Sequence, residues 1–293
     1  MSDTRIGRIG QIKIYLGKCF RSFINERGWI SLISTILISM ILAWVIGEKT
    51  FSVFESTQIG LFAMICGCIW TGLFNSIQCV CRERAIIKRE YRTGLHISSY
   101  ILARMLFELM QCLAEALLMT IVFDIFHDLP STGIVFNWTA LEFFVGFALT
   151  IFCADALGLL VSCIVKTENA AMTVMPFVLI VQLVMSGVMF ELPEDAAFIK
   201  ELTVSKWGLS AICSSSDINM IPTVDTMEKA EAALESDEEI ESWKDLGLTQ
   251  EYVMDYDSSI QNVMKTWFIL ILYSALYGFA GTVALKFVDR DKR

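Results

Sequence analysis

The chain has 293 residues, of which 55% are hydrophobic, and its formal net charge is −9. That apolar share is too large for one soluble core and favours a protein with several membrane spans. Residues 191–267 hold 17 acidic and 5 basic residues, which leaves 15 acidic and 18 basic residues elsewhere; because apolar runs separate these basic residues, no nucleic-acid partner is expected.

The first 29 residues predict an amphipathic helix. They lack a continuous apolar stretch, which argues against a cleavable signal peptide. Apolar residues at three-to-four spacing alternate with basic ones, a pattern typical of a helix that lies along the inner membrane surface. The apolar positions are Ile9, Ile12, Leu16, Cys19 or Phe20, and Phe23. A disordered basic leader is the alternative.

Six apolar runs are long enough to cross the roughly 30 Å hydrocarbon layer as helices. These predicted spans are residues 30–47, 59–81, 101–126, 143–165, 170–190 and 267–285. The third run contains Arg104, Glu108, Glu115 and Asp124 but keeps an apolar helical pattern. The sequence therefore predicts an all-α membrane protein with six transmembrane helices.

Lys and Arg concentrate on one side of these spans. Six lie in residues 1–29, five in 82–100, one in 166–169 and four from 286 onward, whereas the short loops of the other side hold Lys49 alone. This asymmetry predicts cytoplasmic termini in a bacterial plasma membrane and an extracellular acidic segment. The expected organisation is a connecting helix at 1–29, five spans at 30–190, the external segment at 191–266, and the sixth span with the C-terminus at 267–293.

The stretch RERAIIKREYRTGLHISSY, residues 82–100, connects the second and third spans. A loop that only fixed membrane orientation would need positive charge and nothing more. Here apolar residues such as Ile86 and Ile87 are interleaved with five basic residues, and Gly94 offers a helix stop. The pattern predicts a short cytoplasmic helix that docks onto another surface.

Two blocks of residues are specific when their order and spacing are taken together. The first consists of Arg82-Glu83-Arg84, Lys88-Arg89-Glu90, Gly94, Tyr100, Arg104 and Glu108. The second consists of Met175-Pro176, Ser186-Gly187-Val188-Met189-Phe190, Leu192-Pro193 and Ser205-Lys206-Trp207-Gly208. These blocks resemble type-2 permeases of ATP-binding cassette (ABC) transporters, above all the G subfamily of White and pleiotropic-drug-resistance type. The second block is similar to that family's fifth span and re-entrant external segment.

The resemblance implies six spans per subunit, two permease subunits around a central path, and a coupling helix that touches an ATPase. Residues 82–94 would be that helix. Its ATPase-coupling residues would be Glu83, Arg84, Lys88, Arg89 and Glu90. The 293 residues contain no G-x-x-x-x-G-K-[ST] loop, so ATP and Mg²⁺ are expected on a separate ABC ATPase subunit and no cofactor on this chain. A second copy or a homologous permease, and membrane lipid, are the other expected partners.

Ionisable residues at membrane depth are functional candidates because each is costly unless it is paired or faces water. Arg104 and Glu108 are spaced to pair on one helical face, which Gln111 and Glu115 continue. This row is either a structural polar seam or a route that couples the cytoplasmic helix to the transport path. Asp155 is expected to bind a neighbouring helix, with proton relay as the alternative.

The resemblance also implies that the second and fifth spans line a cargo cavity. Candidate path residues on these spans are Phe74, Asn75, Gln78, Gln182, Met185 and Met189. Core packing is the alternative for the methionines. An apolar cavity with few charges favours a lipid-like, amphipathic or hydrophobic peptide or drug cargo.

The acidic segment is expected to contain an amphipathic piece at the outer surface and a Glu- and Ala-rich helix at 225–244. The apolar positions of the first piece are Phe198, Leu202, Leu209 and Ile212. The charged helix is expected to be a solvated face, and the alternatives are a gate, a cation-binding surface or a docking site for an external protein. Cys213 is either free or bridges to a second copy.

The sequence predicts the membrane subunit of an ATP-driven exporter. No H-E-x-x-H or G-x-S-x-G pattern is present, so no catalytic residue is expected. Neither a disulfide framework nor a metal site is indicated by the nine cysteines, which lie mostly in apolar runs. The alternative is a membrane sensor that does not transport and whose acidic segment binds a ligand.

Overall fold

The computed structural model describes most of the chain in six pieces. These are residues 7–47, 50–130, 132–190, 193, 197–224 and 252–290. Within these pieces the regular elements are all helical, which confirms the predicted all-α class. The predicted helix at 225–244 lies outside the described residues.

The described residues form ten α-helices. The first five are α1 (Arg8–Asn25), α2 (Ile30–Ile46), α3 (Phe54–Ser76), α4 (Cys79–Arg92) and α5 (Ile97–Phe126). The others are α6 (Thr139–Ile164), α7 (Glu168–Val184), α8 (Ala197–Glu201), α9 (Val204–Ser215) and α10 (Ile260–Arg290). Short 3-10 turns at Ile218–Met220 and Met254–Tyr256 lie within the acidic segment.

Among the described residues, four helical units are long and apolar enough to cross a membrane. They are Phe54–Arg92, Ile97–Phe126, Thr139–Ile164 and Ile260–Phe287, and a fifth is formed if α1 and α2, which meet at a bend of 69°, count as one span. The predicted number of six is therefore not confirmed. Both α2 and α7 have 17 residues, about 25 Å of helix, which is shorter than the hydrocarbon layer.

The predicted fifth span is wrong at its end. The sequence pattern extended it to residue 190, whereas α7 ends at Val184. Beyond this point the hydroxyl of Ser186 donates to the carbonyl of Leu183 at 2.7 Å, and Gly187 adopts a φ of 75°. Glycine tolerates this left-handed conformation, so the chain turns although its side chains remain apolar.

Helix α6 is at the centre of the bundle and packs against α3, α5, α9 and α10. Its closest neighbour is α3, at Gly72 and Gly158. A Cβ added to Gly72 would collide with the carbonyl oxygen of Ile151 and come within 2.9 Å of the backbone nitrogen of Asp155. Small residues at such positions let the backbones of membrane helices approach each other.

Helix α9 is buried along its whole length. All twelve residues of Val204–Ser215 are buried, and the helix packs against α3, α6 and α10. The predicted surface piece was therefore wrong in part, because Leu209 and Ile212 are inside the bundle, while Phe198 and Leu202 are exposed. Gly208 of α9 lies against Ile65 of α3. The chain after α9 meets the start of α3, where the backbone nitrogen of Phe54 donates to the carbonyl of Pro222 at 2.9 Å, whereas α4 follows the other end of α3.

Candidate functional site

A groove of about 1510 Å³ runs between α2 and α3. Four of the six predicted path residues line it, namely Phe74, Asn75, Gln78 and Met189. Gln182 instead lines a second cavity of about 280 Å³, and Met185 lines neither. The larger groove exceeds the roughly 300–1,000 Å³ typical of small-ligand sites.

Apolar side chains line much of the groove, charged side chains of Glu26, Arg27, Arg82, Glu83 and Arg104 line it as well, and a polar band crosses it. Its hydroxyl and amide groups belong to Ser31, Ser34, Thr35, Asn75, Gln78 and Gln111. The amide of Gln111 donates to the hydroxyl of Ser31 at 3.0 Å and to Glu115 at 3.1 Å. Asn75 donates to the same carboxylate at 2.8 Å, so Glu115 is fixed behind the groove wall. The hydroxyls of α2 were missed in the sequence, although their spacing places them on one helical face.

Arg104 and Glu108 form the predicted pair, with 2.7 Å between the guanidinium Nε and the carboxylate. Arg104 also donates to the thiol of Cys79, and its other Nη lies 3.8 Å from the sulfur of Cys19. Both cysteines line the groove. The guanidinium therefore connects α1, α4 and α5 at the groove's edge.

Asp155 is fully buried in α6. Its backbone carbonyl accepts a hydrogen bond from the hydroxyl of Ser76 at 2.7 Å, which joins α6 to α3. Neither carboxylate oxygen has a hydrogen-bond partner among the described residues. The predicted contact with a neighbouring helix is thus made by the backbone of Asp155 and not by its side chain.

Glu83 and Glu90 of α4 connect three helices of this chain. Glu83 pairs with Lys18 at 3.0 Å and accepts a hydrogen bond from the Tyr100 hydroxyl at 3.1 Å. Glu90 accepts a hydrogen bond from the Tyr15 hydroxyl. The two tyrosine rings pack edge to face, with centroids 5.5 Å apart. Both carboxylates therefore hold α4 against α1 and α5.

Arg84 points to the end of α6. It donates to the carbonyl oxygen of Cys163 at 3.1 Å and to that of Val165. Helix α4 ends at Arg92, and Gly94 follows with a φ of 109°, at the position where the sequence predicted the helix stop.

The remaining face of α4 is open. Its exposed side chains are Arg82, Ala85, Ile86, Arg89 and Arg92. Of the predicted coupling residues, Arg89 is exposed on this face, whereas Lys88, Glu83, Arg84 and Glu90 are half-buried. The face combines an isoleucine that is 39% exposed with several cations, which suits contact with a protein carrying acidic and apolar groups.

A polar cluster holds α9 at the other end of the bundle. Lys206, almost fully buried, pairs with Glu201 and lies 3.4 Å from Asp255, which Lys200 contacts at 2.8 Å. Burial alone would raise the pKa of Asp255, but the hydrogen bond and charge of Lys200, with the charge of Lys206, hold that pKa below its usual value.

Gln182, predicted as a path residue, caps α9. Its side-chain oxygen accepts hydrogen bonds from the backbone nitrogens of Val204 at 2.8 Å and Ser205 at 3.4 Å. Cys213 is a free thiol and is fully buried in the same helix.

Two comparisons with known proteins agree on the family. The ABC-2 type transporter family matches residues 10–214, more than two thirds of the chain. The chain is also 28% identical over 162 residues to an ABC transporter ATP-binding/permease protein of Mycobacterium tuberculosis (strain ATCC 25618 / H37Rv). That match covers 53% of this chain and 18% of the relative, so the chain spans less than a fifth of the relative's length. With its long apolar helices, the chain is an integral membrane protein that belongs to the ABC-2 type transporter family, as a transporter permease.

Proposed function

We propose that this chain is the permease subunit of an ATP-driven exporter in a bacterial plasma membrane. Two copies, or one copy and a homologous permease, form the path through the membrane. A separate nucleotide-binding subunit holds ATP and Mg²⁺ and carries out hydrolysis. Family membership supports the permease role, and the absence of a P-loop from the 293 residues supports placing the ATPase outside this sequence.

The open face of α4 is the observation that carries this proposal. Helices α1, α5 and α6 contact one side of α4, whereas Ile86 and Arg89 are exposed on its other side. Exposed apolar and basic groups on a helix whose other side packs against the bundle fit a docking surface for a partner. In this arrangement Arg89 and Ile86 touch the ATPase, while Glu83, Arg84 and Glu90 pass its movement to the rest of the permease.

The groove between α2 and α3 is the proposed cargo path. Its apolar side chains accommodate a hydrocarbon or hydrophobic side chains, while the polar band and charged residues such as Arg104 and Glu83 offer partners to a polar end. This combination supports a lipid-like, amphipathic or hydrophobic peptide cargo. Phe74 and Asn75 contact the cargo from α3, Gln78 does so from the break between α3 and α4, and Met189 from the chain beyond α7. The shorter helices α2 and α7 complete a set of six spans, with both termini in the cytoplasm.

The docking surface is tested by placing an acidic side chain on the open face of α4. Ile86→Asp and Arg89→Glu are expected to reduce the amount of ATPase that co-purifies with the permease at least tenfold, because they place an acidic group on the contact face. The matched control is Lys13→Glu, a reversal at an exposed position of α1. Co-purification and ATP turnover are measured for each variant. Unchanged binding and turnover in both α4 variants would exclude this face as the docking surface.

A further inference from the structure

A single hydroxyl occupies the break between α3 and α4. In an uninterrupted helix the backbone nitrogens of Val80 and Cys81 would bond the carbonyls of residues 76 and 77. Both instead donate to the hydroxyl of Ser162, at 3.0 and 3.2 Å. Ser162 is fully buried in the last turn of α6. A side chain inserted into the hydrogen-bond ladder is a known cause of helix interruption, so Ser162 accounts for the break.

Helix α4 in turn donates hydrogen bonds to the carbonyl groups at the end of α6. The last carbonyls of a helix have no partner within it. Here the thiol of Cys81 donates to the carbonyl of Ser162 at 3.1 Å and to that of Val165 at 3.2 Å, and Arg84 donates to Cys163 and Val165. The N-terminus of α4 and the C-terminus of α6 are therefore joined head to tail, with opposite ends of their dipoles in contact.

The contacts between α4 and α1 are of another kind. The side chains of the Lys18–Glu83 pair keep 33% and 23% of their exposure, and those of the Arg82–Glu26 pair keep 59% and 48%. Ion pairs so open to water contribute little and are screened by salt. The half-buried hydrogen bond from Tyr15 to Glu90 also joins α1 and α4, but it links side chains alone. The reciprocal caps between α4 and α6 are largely sheltered from water and involve backbone groups, so we expect α4 to be held more firmly to α6 than to α1.

We propose that Ser162 is a positioning residue for energy coupling. Helices α3 and α4 remain one apolar unit, Phe54–Arg92, but Ser162 replaces two ladder bonds at their junction and, by capping α4, fixes that helix to α6. A movement of the ATPase against the open face of α4 then displaces α6 as well as α3. This inference rests on the proposed function, since it requires an ATPase that moves α4.

Helix α6 is placed to carry that movement to α9. Gly146 of α6 packs against the side chain of Ile212, and Gly208 of α9 lies against Thr150. A Cβ added to Gly208 would come within 2.8 Å of the Thr150 hydroxyl. Because the two helices are so close, a shift of α6 displaces α9 directly. The route therefore runs from the ATPase through α4, Ser162 and α6 to the far end of the bundle.

The test uses the full-length permease with its co-purified ATPase in lipid nanodiscs. Hydrogen exchange is compared between the nucleotide-free complex and the complex trapped with ATP and vanadate, in peptides covering 79–92 and 197–224. The wild type is expected to respond in both regions. In Ser162→Ala the response of 79–92 is retained, whereas that of 197–224 is largely lost, because the cap that fixes α4 to α6 is gone. Arg84→Met removes the donors to the carbonyl groups of Cys163 and Val165, and it is also expected to reduce the response of 197–224.

The control is Ser39→Ala, which removes an equally buried hydroxyl that bonds only within its own helix, to Thr35 at 2.7 Å. It is expected to leave both responses unchanged, and Ser162→Thr, which keeps the hydroxyl, to preserve transmission. If the wild type binds no ATPase or shows no response at 79–92, the proposed function fails and this inference with it. If the wild type responds at 79–92 but not at 197–224, or if either Ser162→Ala or Arg84→Met transmits as the wild type does, the inference alone is overturned. Should Ser162→Ala not fold, Arg84→Met decides the outcome.

Discussion

The two ends of the helix bundle are held by different kinds of contact. At the α4 end, α1 is attached through ion pairs whose side chains are partly exposed, such as Arg82–Glu26. At the α9 end, every residue of Val204–Ser215 is buried, and Gln182 caps the helix from α7. Exposed ion pairs re-form easily in water, whereas a buried cap that opens leaves unsatisfied backbone groups.

This difference indicates which end yields first in a transport cycle. Moving α4 against α1 exchanges protein contacts for water contacts at little cost. Moving α9 breaks buried contacts with α3, α6 and α10, and the free energy for that has to be delivered through the bundle. The contacts between α4 and α1 are therefore the ones that yield most easily, while α4 stays fixed to α6 and the contacts of α9 are costlier to break.

The largest expected effect comes from separating α3 and α6. Gly72→Ala is expected to lower the free energy of unfolding by about 3 kcal/mol, the upper part of the usual range for overpacking, because the new Cβ meets backbone atoms that cannot rotate away. Thermal unfolding in detergent, followed by the reactivity of the buried cysteines, measures this loss. Gly17→Ala is the control, since the nearest atom to its Cβ is 3.6 Å away in the flexible side chain of Arg21. Equal stability losses in the two variants would contradict close packing at Gly72.

A smaller loss is expected from the cap of α9. Gln182→Leu leaves the backbone nitrogens of Val204 and Ser205 without their acceptor and is expected to lower the free energy of unfolding by about 1–2 kcal/mol. Gln78→Leu is the matched control, because the Gln78 side chain has no hydrogen bond among the described residues and lies half-buried in the groove. The same thermal assay applies. If Gln78→Leu were the more destabilising change, the cap would not be what holds α9.

The sequence was a good guide to features that a local pattern encodes. Hydropathy identified the long apolar helices, and the spacing of Arg104 and Glu108 identified their ion pair. The helix stop before Gly94 followed from the conformational freedom of glycine.

Features that depend on contacts with another helix could not be predicted from the sequence. Ser162 is one serine among several in apolar runs, and its role appears only when the broken start of α4 is placed beside it. Gln182 has the polarity of a cavity residue, yet its partner is a helix terminus more than twenty positions away. The end of α7 was misjudged because the turn at Gly187 is apolar in sequence.

The next effect concerns pH at the α9 end. The pKa of Asp255 is held below its usual value, so its ionised form is stabilised in the folded state. This contribution is present above the unfolded pKa, about 3.9, and is lost as the pH falls through the lower folded value. We therefore expect the charge of Asp255 to raise the unfolding temperature of the wild type above about pH 4, and this gain to be lost as the pH falls below that value. The difference in unfolding temperature between the wild type and Asp255→Asn should narrow there. A constant difference from pH 7 to pH 3 would show that the charge of Asp255 is not what stabilises this end.

The smallest effect is expected at the α4 end, from Arg82→Ala. This change removes the 2.7 Å pair with Glu26, whose two side chains are about half exposed, so the expected loss is at most about 0.5 kcal/mol and disappears in high salt. Arg84→Met, two residues along the same helix, removes donors to the carbonyls at the end of α6 and is expected to cost about 1.5–3 kcal/mol in either salt condition. Unfolding temperatures at low and high ionic strength separate the two cases. If both variants lost the same stability and both losses were screened by salt, α4 would be held to α6 no more firmly than to α1, and the contrast between the two ends of the bundle would have to be abandoned.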